Sequence, residues 1–71
     1  MGQIVTTVRP RLVEFSAKVG DEVCYATYDR AKNYLSCRNF ETGVTQDYFN
    51  VEDSDQAMTF FSGFLTAFCC N

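Results

Sequence analysis

The sequence predicts an α+β fold with two layers, in which one C-terminal helix packs on one face of an antiparallel meander of three to four strands. Residues 12–49 alternate apolar and polar side chains between short turn sequences, as half-buried strands do. Residues 53–70 place apolar side chains at helical spacing behind a capping residue, which predicts an amphipathic helix. With 71 residues, 46% of them hydrophobic, the chain is expected to form a single small domain.

Turn residues divide the meander into its strands. Gly20 and Asp21 form a two-residue hairpin turn, with glycine at the position that needs a positive φ. Residues 29–32 form a longer polar loop, and residues 41–43 form a three-residue loop that ends in glycine. Residues 1–11, which precede the meander, are expected to be an N-terminal strand or arm.

Each turn also predicts which residues meet across the sheet. The first turn places Ala17 opposite Cys24, the second places Cys24 opposite Cys37, and the third places Leu35 opposite Phe49. We therefore expect Cys24 and Cys37 to be buried, reduced neighbours. Because side chains alternate between faces, one face should carry the core side chains, namely Val13, Phe15, Ala17, Cys24, Ala26, Tyr28, Leu35, Cys37 and Phe49.

The helix that should cover this face has a clear start. Asp53 is a good N-cap, and Gln56 three residues later completes a capping box. The acidic residues around Asp53 favour the positive end of the helix dipole. The stripe that should face the sheet comprises Ala57, Phe61, Phe64, Leu65 and Phe68.

Cysteine usage and the chain ends bear on location. Cys24 and Cys37 lie in apolar strand patterns, Cys69 and Cys70 are adjacent, and no CxxC spacing occurs. We interpret the strand cysteines as small buried hydrophobic residues and predict a cytoplasmic protein, or one of the host cytoplasm if it is viral. No signal peptide is expected. The uncharged stretch 56–70 is shorter than the ~20 residues of a spanning helix, so no membrane partner is expected.

Composition also limits the chemistry. The chain has no His, which removes imidazole-based catalysis and zinc–imidazole sites. Nine acidic and six basic residues give a net charge of −3, so duplex DNA is not an expected partner. No phosphate-binding glycine loop or nucleophile motif occurs. The sequence therefore predicts a protein that is not an enzyme, with no cofactor and no metal.

One helix covers one face of a sheet, and the other face should be unusually aromatic. We expect the open face to bind a larger protein or nucleoprotein complex, or a second copy in a homodimer, because apolar patches rimmed by polar groups mark interfaces. The alternative is that strand 3–8 covers it or that its aromatic residues pair across strands. The candidate partner-binding residues are Tyr25, Tyr34, Arg38, Phe40 and Tyr48 on the face, flanked by the acidic Asp47, Glu52 and Asp55.

This profile of a short, acidic chain with four strands, one helix, no His and a core rich in Phe resembles small phage-encoded inhibitors of host machinery, including anti-CRISPR proteins. The resemblance implies a non-enzymatic interaction module that blocks a functional surface of a larger host protein or complex. A second hypothesis is a small single-stranded nucleic-acid-binding module that stacks bases on the same aromatic residues.

The first six residues, Met1 to Thr6, fit the pattern for N-myristoylation at Gly2. They resemble the starts of gammaretroviral Gag proteins and of arenavirus glycoprotein precursors. That resemblance implies a third hypothesis, an N-myristoylated viral membrane-associated protein. Arg9 and Arg11 supply a small basic patch beside it, whereas stable anchoring by one acyl chain needs a larger one.

Overall fold

The structure, a computed structural model, describes residues 3–69. The elements are β1 (Val5–Val8), β2 (Leu12–Val19), β3 (Glu22–Asp29), β4 (Tyr34–Asn39), β5 (Thr45–Tyr48) and α1 (Ser54–Phe68). The five strands form one antiparallel sheet in the order β1-β2-β3-β4-β5, and helix α1 packs across β2, β3 and β4. The predicted α+β meander with one C-terminal helix is confirmed, with one strand more than the upper estimate.

The β2–β3 hairpin has the predicted register. Val19 lies opposite Glu22 and Ala17 lies opposite Cys24. Gly20, the first of the two turn residues, has φ 62°, which a residue with a Cβ atom adopts only at a cost. The turn chemistry therefore determined the pairing of the two longest strands.

The β3–β4 loop lies one residue later than predicted. The Oδ1 atom of Asp29 accepts hydrogen bonds from the backbone N–H groups of Ala31 and Lys32 at 2.9 and 3.3 Å. This Asx turn keeps Asp29 in β3 as the residue that opens the loop. Asn33 closes the loop with φ 53°, a left-handed conformation that Asn tolerates well.

This loop shift moves the β3–β4 register by two residues. Cys37 lies opposite Ala26, and Cys24 lies opposite Asn39, so the predicted pairing of Cys24 with Cys37 is wrong. A shift of two residues preserves the side-chain alternation. Both cysteines therefore stay on the buried face, as predicted.

The β4–β5 loop has four residues instead of three, and this difference changes which face each β5 side chain occupies. The Asn39 N–H donates to the Val44 carbonyl at 2.9 Å, which leaves residues 40–43 as the loop. Leu35 then lies opposite Tyr48, so its predicted pairing with Phe49 is wrong. A one-residue slip exchanges the faces, and Phe49 is consequently exposed while Tyr48 packs against the core.

Cys24 is not a thiol in this structure. It forms a disulfide with Cys69, 45 residues along the chain, so the prediction that Cys24 is reduced is wrong. Cys24 lies on the sheet face that α1 covers, and Cys69, the C-cap of the helix, lies beside it. Cys37 is a free, buried cysteine, and burial raises the pKa of its thiol to about 12.

The helix begins as predicted. Asp53 is the N-cap, and its Oδ1 atom accepts a hydrogen bond from the Gln56 N–H at 2.8 Å. The Gln56 Oε1 atom accepts from the Glu52 N–H at 2.8 Å, one residue before the position that a standard capping box uses. The helix ends at Phe68, with Cys69 as its C-cap, whereas the sequence predicted residue 70. Cys70 and the candidate acylation site Gly2 lie outside the described residues.

The core lies between the helix and one face of the sheet. The rings of Phe15 and Phe61 stack 5.8 Å apart, and both side chains are buried. The hydroxyl of buried Tyr28 donates to the Val51 carbonyl at 2.8 Å, so the polar end of this side chain is satisfied. Among residues 3–69, no helix is long and apolar enough to cross a membrane.

The first prediction concerns this core. Phe61→Ala and Phe64→Ala should each lower the free energy of unfolding by about 3–5 kcal/mol, because both rings are fully buried. The control is Phe60→Ala, since Phe60 lies on the same helix but is 37% exposed; its cost should be less than half as large. Urea denaturation measures all three, and equal losses would show that α1 does not seal the sheet.

The second prediction concerns the disulfide. Opening a bridge that joins residues 45 positions apart should lower the free energy of unfolding by about 4 kcal/mol, because the unfolded chain regains the entropy of an unclosed loop. Dithiothreitol should therefore shift the urea midpoint of the wild type and of Cys37→Ala downward. The double variant Cys24→Ala/Cys69→Ala should not respond to it. A wild type whose midpoint is unchanged by complete reduction would contradict this account.

Candidate functional site

The open face is the side of the sheet that faces away from α1. The β1 strand pairs edge to edge with β2 and does not lie across this face, so the proposed cover by residues 3–8 is wrong. Register and alternation place on the open face Val5, Thr7, Glu14, Ser16, Lys18, Val23, Tyr25, Thr27, Tyr34, Ser36, Arg38, Thr45 and Asp47, with Phe40 and Phe49 just beyond the strand ends.

A first group of side chains on this face, the Phe40 cluster, comprises Tyr25, Arg38 and Phe40. Tyr25 and Arg38 are paired across β3 and β4. The rings of Tyr25 and Phe40 stack with centroids 6.1 Å apart, and the Arg38 guanidinium carbon lies 5.7 Å from the Phe40 ring centroid. The guanidinium is therefore held over an aromatic face, and Phe40 still has 55% of its surface exposed.

A second group, the Phe49 cluster, comprises Tyr34, Asp47 and Phe49. The rings of Tyr34 and Phe49 are 5.2 Å apart, and the Tyr34 hydroxyl donates to the Asp47 Oδ1 atom at 2.8 Å. Phe49 is 67% exposed. The sequence placed Phe49 in the core, because a three-residue loop at 41–43 would turn the Phe49 side chain to the helix side of the sheet. Asn39, a residue that favours Asx turns, was the available signal for the longer loop.

Tyr48 does not belong to the open face. The register places it beside Leu35 on the helix side, where its ring stacks on Phe60 with centroids 5.0 Å apart. The prediction that Tyr48 contributes to the partner-binding face is therefore wrong, and the cause is the same one-residue slip of β5.

The predicted acidic flank is divided between two parts of the molecule. Asp47 lies on the open face, on β5. Glu52 and Asp55 are exposed at the start of α1, and that helix packs on the opposite face. Asp55 lies in the first turn of the helix, where a carboxylate stabilises the helix dipole. The structure therefore joins only Asp47 to the aromatic residues.

Charge on the open face is mixed. The Arg9 Nε atom lies 3.4 Å from the Glu14 Oε1 atom, so a nearby basic side chain is already paired. Burial, followed by the neighbouring Glu14 carboxylate, raises the pKa of Tyr25. The main cause that raises the pKa of Tyr34 is the hydrogen bond that its hydroxyl donates to the Asp47 carboxylate. Both tyrosines are therefore neutral hydrogen-bonding groups at physiological pH.

Within residues 3–69, the surface has no enclosed pocket, and no group of three or more Cys, Asp and Glu side chains is arranged to hold a metal ion. No protein-family model, curated protein sequence or solved structure matches the chain. A functional proposal therefore depends on the chemistry of the open face itself.

The third prediction tests the Tyr34–Asp47 hydrogen bond. The raised pKa means that the folded state favours neutral Tyr34, so the stabilisation is complete below pH 10 and is lost as the pH rises through the raised pKa. Asp47→Asn should lower the pKa of Tyr34 towards its ordinary value, because the acceptor loses its charge. NMR titration of the tyrosine ring carbons measures this pKa, with Tyr28 as the internal reference. An unchanged Tyr34 pKa in the variant would show that the hydrogen bond does not form.

Proposed function

We propose that this chain is a non-enzymatic protein-interaction module that binds a larger protein or complex through its open face. The observation that carries the proposal is the exposure of Phe40 and Phe49, 55% and 67% respectively, at two places on a sheet face that neither α1 nor β1 covers. Isolated exposed apolar side chains are ordinary on protein surfaces. Here each belongs to a cluster with a tyrosine and a charged group.

The composition of the two clusters supports a protein partner. Tyrosine and arginine are among the residue types that contribute most binding energy at protein interfaces, and exposed aromatic rings lose the most apolar surface on binding. Arg38 and Asp47 add one charge of each sign, which would orient a partner and select against the wrong one. The pre-formed contacts within each cluster reduce the side-chain entropy that binding would cost.

The mode of action that we propose is steric blocking, as in the small phage-encoded inhibitors of host machinery that the sequence profile resembles. A five-stranded sheet that presents aromatic groups on one face needs no catalytic residue to block a surface. In this proposal Glu52 and Asp55 act at a distance, by steering association through their charge.

The Cys24–Cys69 disulfide bears on where the protein acts. The predicted cytoplasmic location depended on reduced cysteines, and the Cys24–Cys69 disulfide counts against it, because disulfides persist mainly in oxidising environments. A host-cytoplasm location stays a prediction. The redox state of Cys24 and Cys69 in protein recovered from its native setting would test it directly.

Binding of single-stranded nucleic acid through the same face is the alternative. Aromatic rings beside Arg38 would stack bases, but Asp47 and Glu14 lie on the same face, and Arg9 is paired with Glu14. A backbone-tracking groove needs a net positive charge, whereas on this face Glu14 and Asp47 balance Lys18 and Arg38. The charge distribution therefore favours a protein partner.

The fourth prediction is the functional test. After affinity capture and mass spectrometry identify a partner, Tyr34→Ala and Phe40→Ala should each weaken binding by about 2 kcal/mol or more, because they remove aromatic contact area. Phe68→Ala is the matched control, since Phe68 is 37% exposed but lies on α1, away from the open face. Its affinity should equal that of the wild type.

Surface plasmon resonance on folded variants, at several salt concentrations, separates the hypotheses. Glu52→Lys should mainly change the association rate and its dependence on salt. If Tyr34→Ala and Phe40→Ala bind as the wild type while Glu52→Lys does not, the helix start is the interface and the proposal is wrong. Tight binding to single-stranded oligonucleotides that falls steeply with salt would support the alternative.

A further inference from the structure

The two edge strands of the sheet, β1 and β5, differ in side-chain charge. At one edge, β1 has the sequence Val-Thr-Thr-Val, and all four side chains are exposed. No residue from Gln3 to Val8 carries a side-chain charge. At the other edge, β5 carries the charged Asp47. Charges and prolines normally protect the edges of sheets from pairing with other strands, and β1 has neither.

Hydrogen bonding within the β1–β2 hairpin determines which backbone groups of β1 are free. The Arg9 N–H donates to the Leu12 carbonyl at 2.8 Å, which makes these two residues a hydrogen-bonded pair. Such pairs alternate along an antiparallel ladder, so Thr7 and Val5 also bond to β2. The backbone N–H and C=O groups of Ile4, Thr6 and Val8 consequently point outward at the free edge.

We propose that this edge pairs with the same edge of a second copy, in antiparallel orientation, with a two-fold axis at Thr6. Thr6 then lies opposite Thr6 of the other copy, and Ile4 lies opposite Val8. The free backbone groups of Ile4, Thr6 and Val8 in one copy then meet the free backbone groups of the other copy. Each pair of residues can therefore exchange two hydrogen bonds. A two-fold axis perpendicular to the sheet also requires paired side chains to share one face. Thr6 and Val8 meet that requirement, because they pair with the core residues Phe15 and Val13.

Other registers are poorer. A two-fold axis at Thr7 would place Ile4 opposite Pro10, which has no N–H to donate. An axis between two residues would pair side chains on opposite faces of the sheet, which the pleat does not allow. The register centred on Thr6 is the one that pairs Ile4, Thr6 and Val8 entirely with one another.

The side chains at this edge favour the same partner. Val8 is 67% exposed and Val5 58%, and Ile4 is half-buried against the core. In the dimer, Val8 packs against Ile4 of the other copy, and Val5 packs against Thr7 of the other copy. Pairs of β-branched side chains across strands are favourable, and no like charges meet in the residues 4–8 that form the pairing.

The dimer would have a single sheet of ten strands with both helices on one side. The two open faces would then lie side by side on the other side, so that a partner with two matching sites could bind both. The pairing itself uses only β1 and is independent of the function proposed for the open face.

Sedimentation equilibrium from about 10 to 500 µM protein tests the proposal. The wild type should form dimers, and Thr6→Pro should weaken dimerisation at least tenfold, because proline removes the N–H at the two-fold axis but leaves the β1–β2 hydrogen bonds intact. Thr45→Pro is the matched control: it removes an outward-pointing N–H from β5 at the other edge. Its dimerisation should equal that of the wild type.

A second variant, Val8→Lys, covers the case in which Thr6→Pro fails to fold, as judged by circular dichroism; it should also prevent dimerisation. Hydrogen exchange should show that the amides of Ile4, Thr6 and Val8 become protected as concentration rises. A wild type that stays monomeric at the highest concentration would overturn the proposal, as would a dimer that neither variant weakens. A monomer whose β1 edge binds only extended peptides from another protein would also overturn it.

Discussion

The packing of one apolar sheet face against one apolar helix stripe is the constraint on which the rest of this structure depends. Phe15 on β2 and Phe61 on α1 stack at the centre of that contact, and both are fully buried. Helix α1 packs on this face alone, and no element among residues 3–69 covers the other face of the sheet. The aromatic side chains of that second face are therefore exposed to different degrees.

The buried side chain of Asn39 connects this core to the open face. The Asn39 Nδ2 atom donates to the Glu22 carboxylate at 2.9 Å and to the Phe68 carbonyl at 2.8 Å, which holds the end of α1 against the sheet. Its Oδ1 atom accepts from the N–H groups of Glu41 and Thr42, which shapes the four-residue loop. Because the loop length sets the parity of β5, Asn39 indirectly places the Phe49 cluster on the open face.

The disulfide strengthens the same junction covalently. Cys69 follows α1 directly, and its bond to Cys24 joins the helix end to β3, the central strand of the sheet. The Asn39 Nδ2 atom also lies 3.4 Å from the Cys69 sulfur. Polar and covalent contacts therefore converge where α1 ends, while its start is held by the Asp53 cap. The disulfide therefore fixes the end of α1 to the sheet, whereas the cap determines where the helix begins.

The sequence by itself determined the elements with local causes: the hairpin at Gly20, the helix start at Asp53, and the alternation that gives β2 and β3 one buried face. These features depend on turn chemistry, capping and period, which neighbouring residues supply. The tertiary structure decided the registers after residue 29, the placement of Phe49 and the partner of Cys24. Each of these depends on a loop whose length is set by side-chain hydrogen bonds or on a contact 45 residues away, and the local pattern of apolar and polar residues does not specify either.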